Sequence, residues 1–335
     1  MRRGSYIVVR LLLSIPTVLL LVSTVFIVTH ILPGDPVRMM VGDVATEAQI
    51  QAIRHELGLD RPLYIQYLSY MYDLLHFDFG ISVNSRLPII REMSAAFPVT
   101  IELTIVGLIC GVFAGLPLGI LAALKKGKVV DHILRAFSLG CYSIPIYVTG
   151  ILLQLAISRG LGLLPVAGRI SSTVDIPRIT GLYVLDSLLT LNFGTMFDAL
   201  AHLILPAITM GVYLLPMISR MSRAGMIDAL TEDYIVTARA KGLTESTVVY
   251  RHAFRNALLP TITVIGLNFA GLLGGSMLTE TVFSLPGLGR LMYRAISSRD
   301  FPMIQGIVVV YTLIVVAVNT VIDIAYRFLD PRVKY

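Results

Sequence analysis

Six stretches of this chain are apolar for long enough to cross a hydrocarbon layer, which takes about 20 residues, and they leave few folds open. They lie near residues 7–32, 98–124, 133–158, 199–219, 257–282 and 303–328. A segment in lipid must satisfy its own backbone hydrogen bonds, so each is expected as a helix. Composition agrees: 335 residues, 56% hydrophobic and 14% charged with mean hydropathy +0.79, are too apolar for a soluble domain of this size. The expected fold is an all-α polytopic membrane protein, a single domain over residues 1–335 with six transmembrane helices.

Charge sets the expected orientation. A net charge of +6 in a soluble protein would hint at nucleic acid, but here the charges flank apolar runs as membrane topology requires, and nucleic acid is set aside as a partner. With both termini cytoplasmic, the inner segments hold sixteen of the 27 Lys and Arg although they are much shorter than the outer ones. The first run follows Arg2, Arg3 and Arg10; it is too long for a signal peptide and lacks a small-residue cleavage site, so it reads as an uncleaved anchor. The outer loops are then 33–97, which is the largest, 159–198 and 283–302, and the inner loop 220–256 faces the cytoplasm. Cys110 and Cys141 both lie inside apolar runs and read as packing residues.

The segment 231–260, TEDYIVTARAKGLTESTVVYRHAFRNALLP, is a polar island between two apolar runs. Thr231 can cap a helix with Glu232 and Asp233 in its first turn and Arg239 and Lys241 in its last, before Gly242 stops it. That is roughly eleven residues, about 16 Å. Tyr234, Ile235, Ala238 and Leu243 fall on one side at helical spacing. A second helix starts near Thr244 and carries Arg251, His252 and Arg255 towards Pro260. Read from the residues alone, this surface suits either another protein's groove, which Ala238, Ala240 and Gly242 would let approach closely, or an anionic lipid surface.

The run from Glu232 to Gly242, followed by Arg255-Asn256-Ala257 and Leu259-Pro260, resembles the cytoplasmic "EAA" loop of ABC importer permeases of the dipeptide, oligopeptide and nickel branch. Counted back from Gly242, the Glu-Ala-Ala of that loop falls on Val236, Thr237 and Ala238, and the spacing to Pro260 is longer than the general pattern. The strings LPGDPV, LGLDRPLYIQYL, FDFGIS and LTETVFSLPGLGRL are similar to the same branch. The resemblance implies a coupling helix docked in a groove of an ATPase subunit, with Tyr234, Ala238, Arg239, Lys241, Gly242 and Leu243 as the coupling residues. It also implies a prokaryotic cytoplasmic membrane, a second similar permease subunit, two ATPase subunits that bind ATP and Mg, and an extracytoplasmic substrate-binding protein. Di- and oligopeptides are the implied substrates, although nickel and oligosaccharide importers use permeases of the same appearance. The 283–302 segment is expected to dip back toward the pathway from outside.

Other features bear on the pathway. In the first outer loop a proline cluster, Leu32-Pro-Gly-Asp-Pro36, turns the chain, and Thr46 can cap a helix through Ile50, Ile53 and Leu57 that ends at Gly58. Tyr64, Tyr67, Leu68, Met71, Leu74 and Leu75 then recur at helical spacing, as a cap on the bundle or as a substrate contact. Gly107, Gly111, Gly115 and Gly119 recur every fourth residue and predict a smooth face for close helix packing. Tyr142, Ser143 and Pro145 predict a kink that either lines a cavity or is buried in protein. Asn268 and Glu280 join them as candidate pathway or gate residues, while His202 reads as a structural histidine and the 159–198 loop carries no motif.

Nothing in the sequence points to catalysis, a cofactor or a metal in this chain. There is no G-x-x-x-x-G-K-[ST] string and no H-E-x-x-H helix, so ATP work falls to partners. The carboxylates within the runs, Glu102, Glu280 and Asp323, lie near interfaces rather than at depth, which weighs against the competing class, an ion-coupled secondary carrier.

Overall fold

The computed structural model describes residues 3–31, 46–56 and 58–329. The proline cluster from Leu32 to Pro36, Leu57, Arg2, Arg332 and Lys334 lie outside the described residues, as do the side chains of Ile53, Asp323 and Arg327. In chain order the helices are α1 (Arg3–Ile31), α2 (Glu47–Glu56), α3 (Leu63–Leu75), α4 (Ile89–Leu124), α5 (Val129–Ser143) and α6 (Ile146–Leu153), the last continued by a π-type segment, Gln154–Gly160. There follow α7 (Tyr183–Leu189), α8 (Phe193–Leu230), α9 (Asp233–Ala240), α10 (Phe254–Val282), α11 (Leu288–Ser297) and α12 (Phe301–Leu329). The sole strand-like pairing among the described residues is an isolated bridge between Ile81 and Pro88.

Four helices are each long and apolar enough to cross a membrane: α4, α8, α10 over Pro260–Val282 and α12 over Phe301–Ile322. The pair formed by α5 and α6 passes the same test only when its two halves are taken together, and α1 contributes a shorter apolar stretch, Leu12–Val28. Two of the crossing helices outrun the expected spans. At 38 residues α8 is about 57 Å long, and at 36 residues α4 is about 54 Å, against a hydrocarbon core of about 30 Å. The chain divides into two compact units, residues 1–98 with 287–317 and residues 99–286 with 318–335; the boundaries fall inside α4, between α10 and α11, and inside α12.

In the first unit, α2 starts where expected. Thr46 and Gln49 form a reciprocal cap, with the Thr46 amide donating to Gln49 Oε1 at 2.9 Å and the Gln49 amide to Thr46 Oγ1 at 3.4 Å. Tyr67 and Tyr70 of α3 pack on Phe26 of α1 with centroids 5.3 and 5.5 Å apart, and the Tyr67 and Ser23 hydroxyls are hydrogen-bonded at 2.7 Å. A separate apolar core joins Ile89, Met93 and Ala96 to Leu288, Ala295, Met303 and Ile307. Buried Asp300 accepts from the Ser82 hydroxyl at 2.5 Å, the Asn84 amide at 3.1 Å and the Met303 amide at 3.2 Å, so one carboxylate fixes the 82–84 turn and caps α12.

The second unit is built on α4 against α8. A β-carbon placed on Gly107, Gly111 or Gly115 would stand 2.8 Å from the β-carbon of Met210, Leu214 or Ile218, and one on Gly119 would stand 2.5 Å from the Ser219 carbonyl oxygen. Gly211 answers from α8, its missing β-carbon falling 2.8 Å from that of Cys110. The four-residue glycine repeat is therefore the packing surface that the spacing predicts. Around it Val99, Leu103, Met210, Leu214, Ile218, Phe283 and Leu285 form the core. The 133–158 run departs from expectation: the kink is a break of 98° between α5 and α6. Pro145 lacks an amide hydrogen and forces Ile144 into an extended conformation (φ −89°, ψ 125°), which ends α5 outright.

Gly115→Val is expected to destabilise the chain by roughly 1–3 kcal/mol, the usual penalty for overpacking, because its methyls would have to enter Ile218. Gly274→Ala, where nothing lies within 4 Å of the added carbon, is expected to leave stability unchanged or slightly raised. Thermal unfolding in mild detergent separates the two.

Candidate functional site

The 231–260 island folds as a short helix, a tight reversal and a second helix. Thr231, expected to cap α9, instead closes α8, its hydroxyl donating to the Asp228 carbonyl at 2.8 Å. Glu232, extended at φ −74° and ψ 149°, precedes α9, which runs for 8 residues rather than eleven. Gly242 then takes φ +75°. Its amide donates to Arg239 at 2.9 Å and the Leu243 amide to Ala238 at 3.4 Å, a Schellman reversal that only glycine adopts without strain. Arg239 reaches across this reversal to Glu245, with Nε to Oε1 at 2.8 Å and Nη2 to Oε2 at 3.3 Å. Thr244 caps the next turn by accepting from the Thr247 amide at 3.4 Å. A π-type segment, Val248–Ala253, leads into α10, and Pro260 lies within α10 rather than at its start.

The reversal sorts the predicted coupling residues onto two sides. Ile235 and Ala238 are buried in a core shared with Ile120 and Ala123 of α4, Met226 and Ala229 of α8, Val248, Val249, and Ala257 of α10. The single apolar face expected for Tyr234, Ile235, Ala238 and Leu243 is thus split: Tyr234, Val236 and Leu243 are exposed, together with Arg239, Lys241 and Gly242. The reversal returns the Leu243 amide to Ala238 but leaves the Leu243 side chain exposed. Close by, Gly225 of α8 meets α10 directly, since an added β-carbon would lie 2.9 Å from the Ala257 oxygen. Arg223 of α8 grips buried Asp131 of α5 at both carboxylate oxygens, at 2.8 and 2.7 Å. Helices α4, α8 and α10 therefore meet beneath α9, and α5 is fastened to α8.

The candidate pathway residues do not form one cluster. Tyr142, Ser143 and Pro145 are exposed at the α5–α6 break, where Tyr142 stacks on Tyr213 of α8 with centroids 6.2 Å apart. Asn268 is half-buried and donates to the Val264 carbonyl of its own helix at 2.7 Å. Glu280 is fully buried, accepting from the Thr100 hydroxyl at 2.6 Å and the Ser276 hydroxyl at 3.0 Å, so it ties α10 to α4. His202 is buried on α8 with Nδ1 2.9 Å from the Asp198 carbonyl, as a structural histidine would be.

Sequence reasoning missed a polar anchorage in the 159–198 segment. Arg169 donates through Nη2 to Glu102 of α4 at 2.7 Å and to the Gly181 carbonyl at 2.5 Å, and its guanidinium lies 3.5 Å from the centroid of the Tyr183 ring. The Gly168 amide donates to the Phe283 carbonyl at 2.9 Å, and Gln154 donates to Val166 and Val282 at 2.8 and 3.1 Å. Asp198 accepts from the Ser171 amide and hydroxyl at 2.8 and 2.6 Å. Asp186 sits in a cup, accepting from the amides of Ile179, Thr180 and Gly181 and from the Thr180 hydroxyl at 2.6 to 3.2 Å. Its burial pushes the carboxyl up, but those donors outweigh burial and hold it below the usual carboxylate range. These partners stand as far as 128 residues apart, and no local pattern announces them. No group of His, Cys, Asp and Glu that could hold a metal ion occurs among the described residues.

Among the described residues the chain is mostly helical, with helices long and apolar enough to span a membrane and a buttressed polar reversal between two of them. Among solved structures, a chain of the methionine ABC transporter MetNI in an inward-facing conformation has a similar fold, matching 69% of this chain and 93% of its own length with a TM-score of 0.53 and 18% identity. The chain belongs to the family of binding-protein-dependent transport system inner membrane components, matching that family over residues 115–335 and its N-terminal component over residues 4–104. It is 42% identical to the dipeptide transport system permease protein DppB of Escherichia coli K12, over 99% of both chains. It is also 42% identical to the di/tripeptide transport system permease protein DppB of Pseudomonas aeruginosa UCBPP-PA14, again over 99% of each.

The Asp186 cup makes a pH prediction. A carboxyl held low in the folded state contributes stability above the unfolded value of about 3.9 and loses it as pH falls through the lower folded value. Asp186→Asn is expected to lower the amide-exchange protection factors of residues 179–181 at neutral pH, and the wild type to lose the same protection only below about pH 4.

Proposed function

We propose that this chain is one of two permease halves of an ATP-driven importer of di- and short oligopeptides. The observation that carries the substrate is the full-length 42% identity to permeases whose names specify dipeptides and di/tripeptides. Neither name gives support to nickel or oligosaccharides, which share the general appearance. In this reading α1, α4, the broken α5–α6 pair, α8, α10 and α12 are six spans of one permease domain, both termini and the 220–256 loop are cytoplasmic, and the 33–97 segment is extracytoplasmic. The excess of Lys and Arg in the inner segments supports that orientation. A second homologous permease completes the pathway, two ATPase subunits bind ATP and Mg, and an extracytoplasmic binding protein delivers the peptide.

Coupling falls to α9. Tyr234, Val236, Arg239, Lys241, Gly242 and Leu243 form the outward face that an ATPase groove takes, while Ile235 and Ala238 seat the helix on the ends of α4, α8 and α10. Movement of the groove then reaches three spans at once through a packed core, which transmits displacement because it has little free volume. Tyr142, Ser143 and Pro145, at the break in the third span, are the pathway candidates that this reading retains. Asn268 bonds to its own helix, and Glu280 holds α4 to α10.

Gly242→Val tests the coupling. Open space surrounds that position, with nothing within 4 Å of an added carbon, so the penalty is purely that of a β-branched residue at φ +75°, roughly 1–2 kcal/mol. The reversal then relaxes and moves Leu243. In the reconstituted transporter, dipeptide uptake per ATP hydrolysed is expected to fall about tenfold or more; unchanged uptake would contradict the assignment. Uptake by this chain alone, driven by an ion gradient, would overturn the importer reading itself.

A further inference from the structure

The turn between α4 and α5 carries Lys125, Lys126 and Lys128, all exposed, and none has an ion-pair partner among the described residues. The acid nearest in sequence, Asp131, is withdrawn from them: it is buried under the Arg223 guanidinium and also accepts from the Gly127 amide at 3.0 Å. That last bond, with Gly127 at φ +74°, fixes the path of the turn, so the three ammonium groups sit on an ordered loop. Helix α5 then presents two faces. Asp131 and Ser138 are buried, whereas Val129, Ile133 and Phe137, spaced one turn apart, are 73%, 60% and 54% exposed. Unpaired cations thus stand at the head of an uncovered apolar stripe whose far end, Phe137, lies about 13 Å along the helix from Lys128.

We propose that this corner is a binding site for an anionic phospholipid. The phosphate is held by Lys125, Lys126 and Lys128, and an acyl chain runs down Val129, Ile133 and Phe137. Charge complementarity selects this occupant. A zwitterionic lipid offers the same chain but carries its own cation beside the phosphate, and an inorganic phosphate uses the lysines but leaves the stripe uncovered. Through Asp131 and Arg223 the occupied corner bears directly on α8, whose end carries α9. The site is defined by lysines and apolar side chains alone and does not depend on which solute is transported.

The chain contains no tryptophan, so Phe137→Trp makes a single reporter within it. The full chain carrying this substitution is reconstituted in phosphatidylcholine vesicles containing a minor fraction of chain-brominated phosphatidylglycerol or chain-brominated phosphatidylcholine, and quenching is compared. The expected result is a preference for the brominated phosphatidylglycerol of on the order of 100-fold in relative binding constant. K125Q/K126Q/K128Q should abolish it and K125R/K126R/K128R should retain it. Equal quenching by the two lipids, or a preference that survives the glutamine variant, would overturn the proposal. So would loss of the preference on adding inorganic phosphate while sodium chloride of the same ionic strength preserves it, because the anion would then be the ligand and the lipid incidental.

Discussion

The contact between α4 and α8 is the constraint on which the second unit depends. Lipid tails are as apolar as leucine, so burying side chains from lipid gains little, and helices in a membrane associate through close packing. Four glycines on α4 and one on α8 bring the two backbones together along a whole face, and the side chains of Met210, Leu214 and Ile218 lie over the missing β-carbons. Both helices run far beyond the hydrocarbon thickness. One rigid pair therefore carries features at both of its ends. At one end Glu102 and Asp198 receive Arg169 and Ser171 of the 159–198 segment, and at the other Ile120 and Met226 receive the seat of α9.

That arrangement gives the proposed coupling a mechanical route. A helix of 8 residues has little stability of its own; α9 is held because Ile235 and Ala238 are inserted into a core made by longer helices. Its outer residues stay exposed, as a docking face requires, and Arg239 is held to Glu245 across the reversal at Gly242. An exposed ion pair of this kind contributes little to stability. The more consequential pair is Asp131 with Arg223, which fastens the start of α5 to α8 and leaves the lysines of the α4–α5 turn unneutralised.

Features that act locally were legible in the sequence. The glycine repeat announced the α4 packing face, Thr46 announced the start of α2, Gly242 announced a stop, and Pro145 announced a disturbance. Magnitude and direction were less accessible. Proline chemistry predicts that a helix is interrupted, but whether the chain bends slightly or by 98° depends on what the two halves pack against. Pro260 shows the converse, lying within a helix that continues through it. Ala238 reads as part of an apolar side open to a partner's groove, and the fold instead buries it among the chain's own helices. The anchors of the 159–198 segment were invisible because Arg169 with Glu102 and Gln154 with Val282 are pairings between distant parts of the chain, and such pairs leave no periodicity behind.

The most direct test of the account is a cysteine cross-linking measurement on the assembled transporter, with Cys110 and Cys141 replaced by alanine. Single cysteines are placed by Val236→Cys and Leu243→Cys on the outer face of α9 and by Ala238→Cys on its inner face, and each is challenged with a short thiol-to-amine cross-linker. The account predicts cross-links from positions 236 and 243 to an ATP-hydrolysing subunit, changing in yield when ATP is added, and none from position 238. Cross-linking from position 238, or none from the two outer positions in a complex that still hydrolyses ATP, would contradict it.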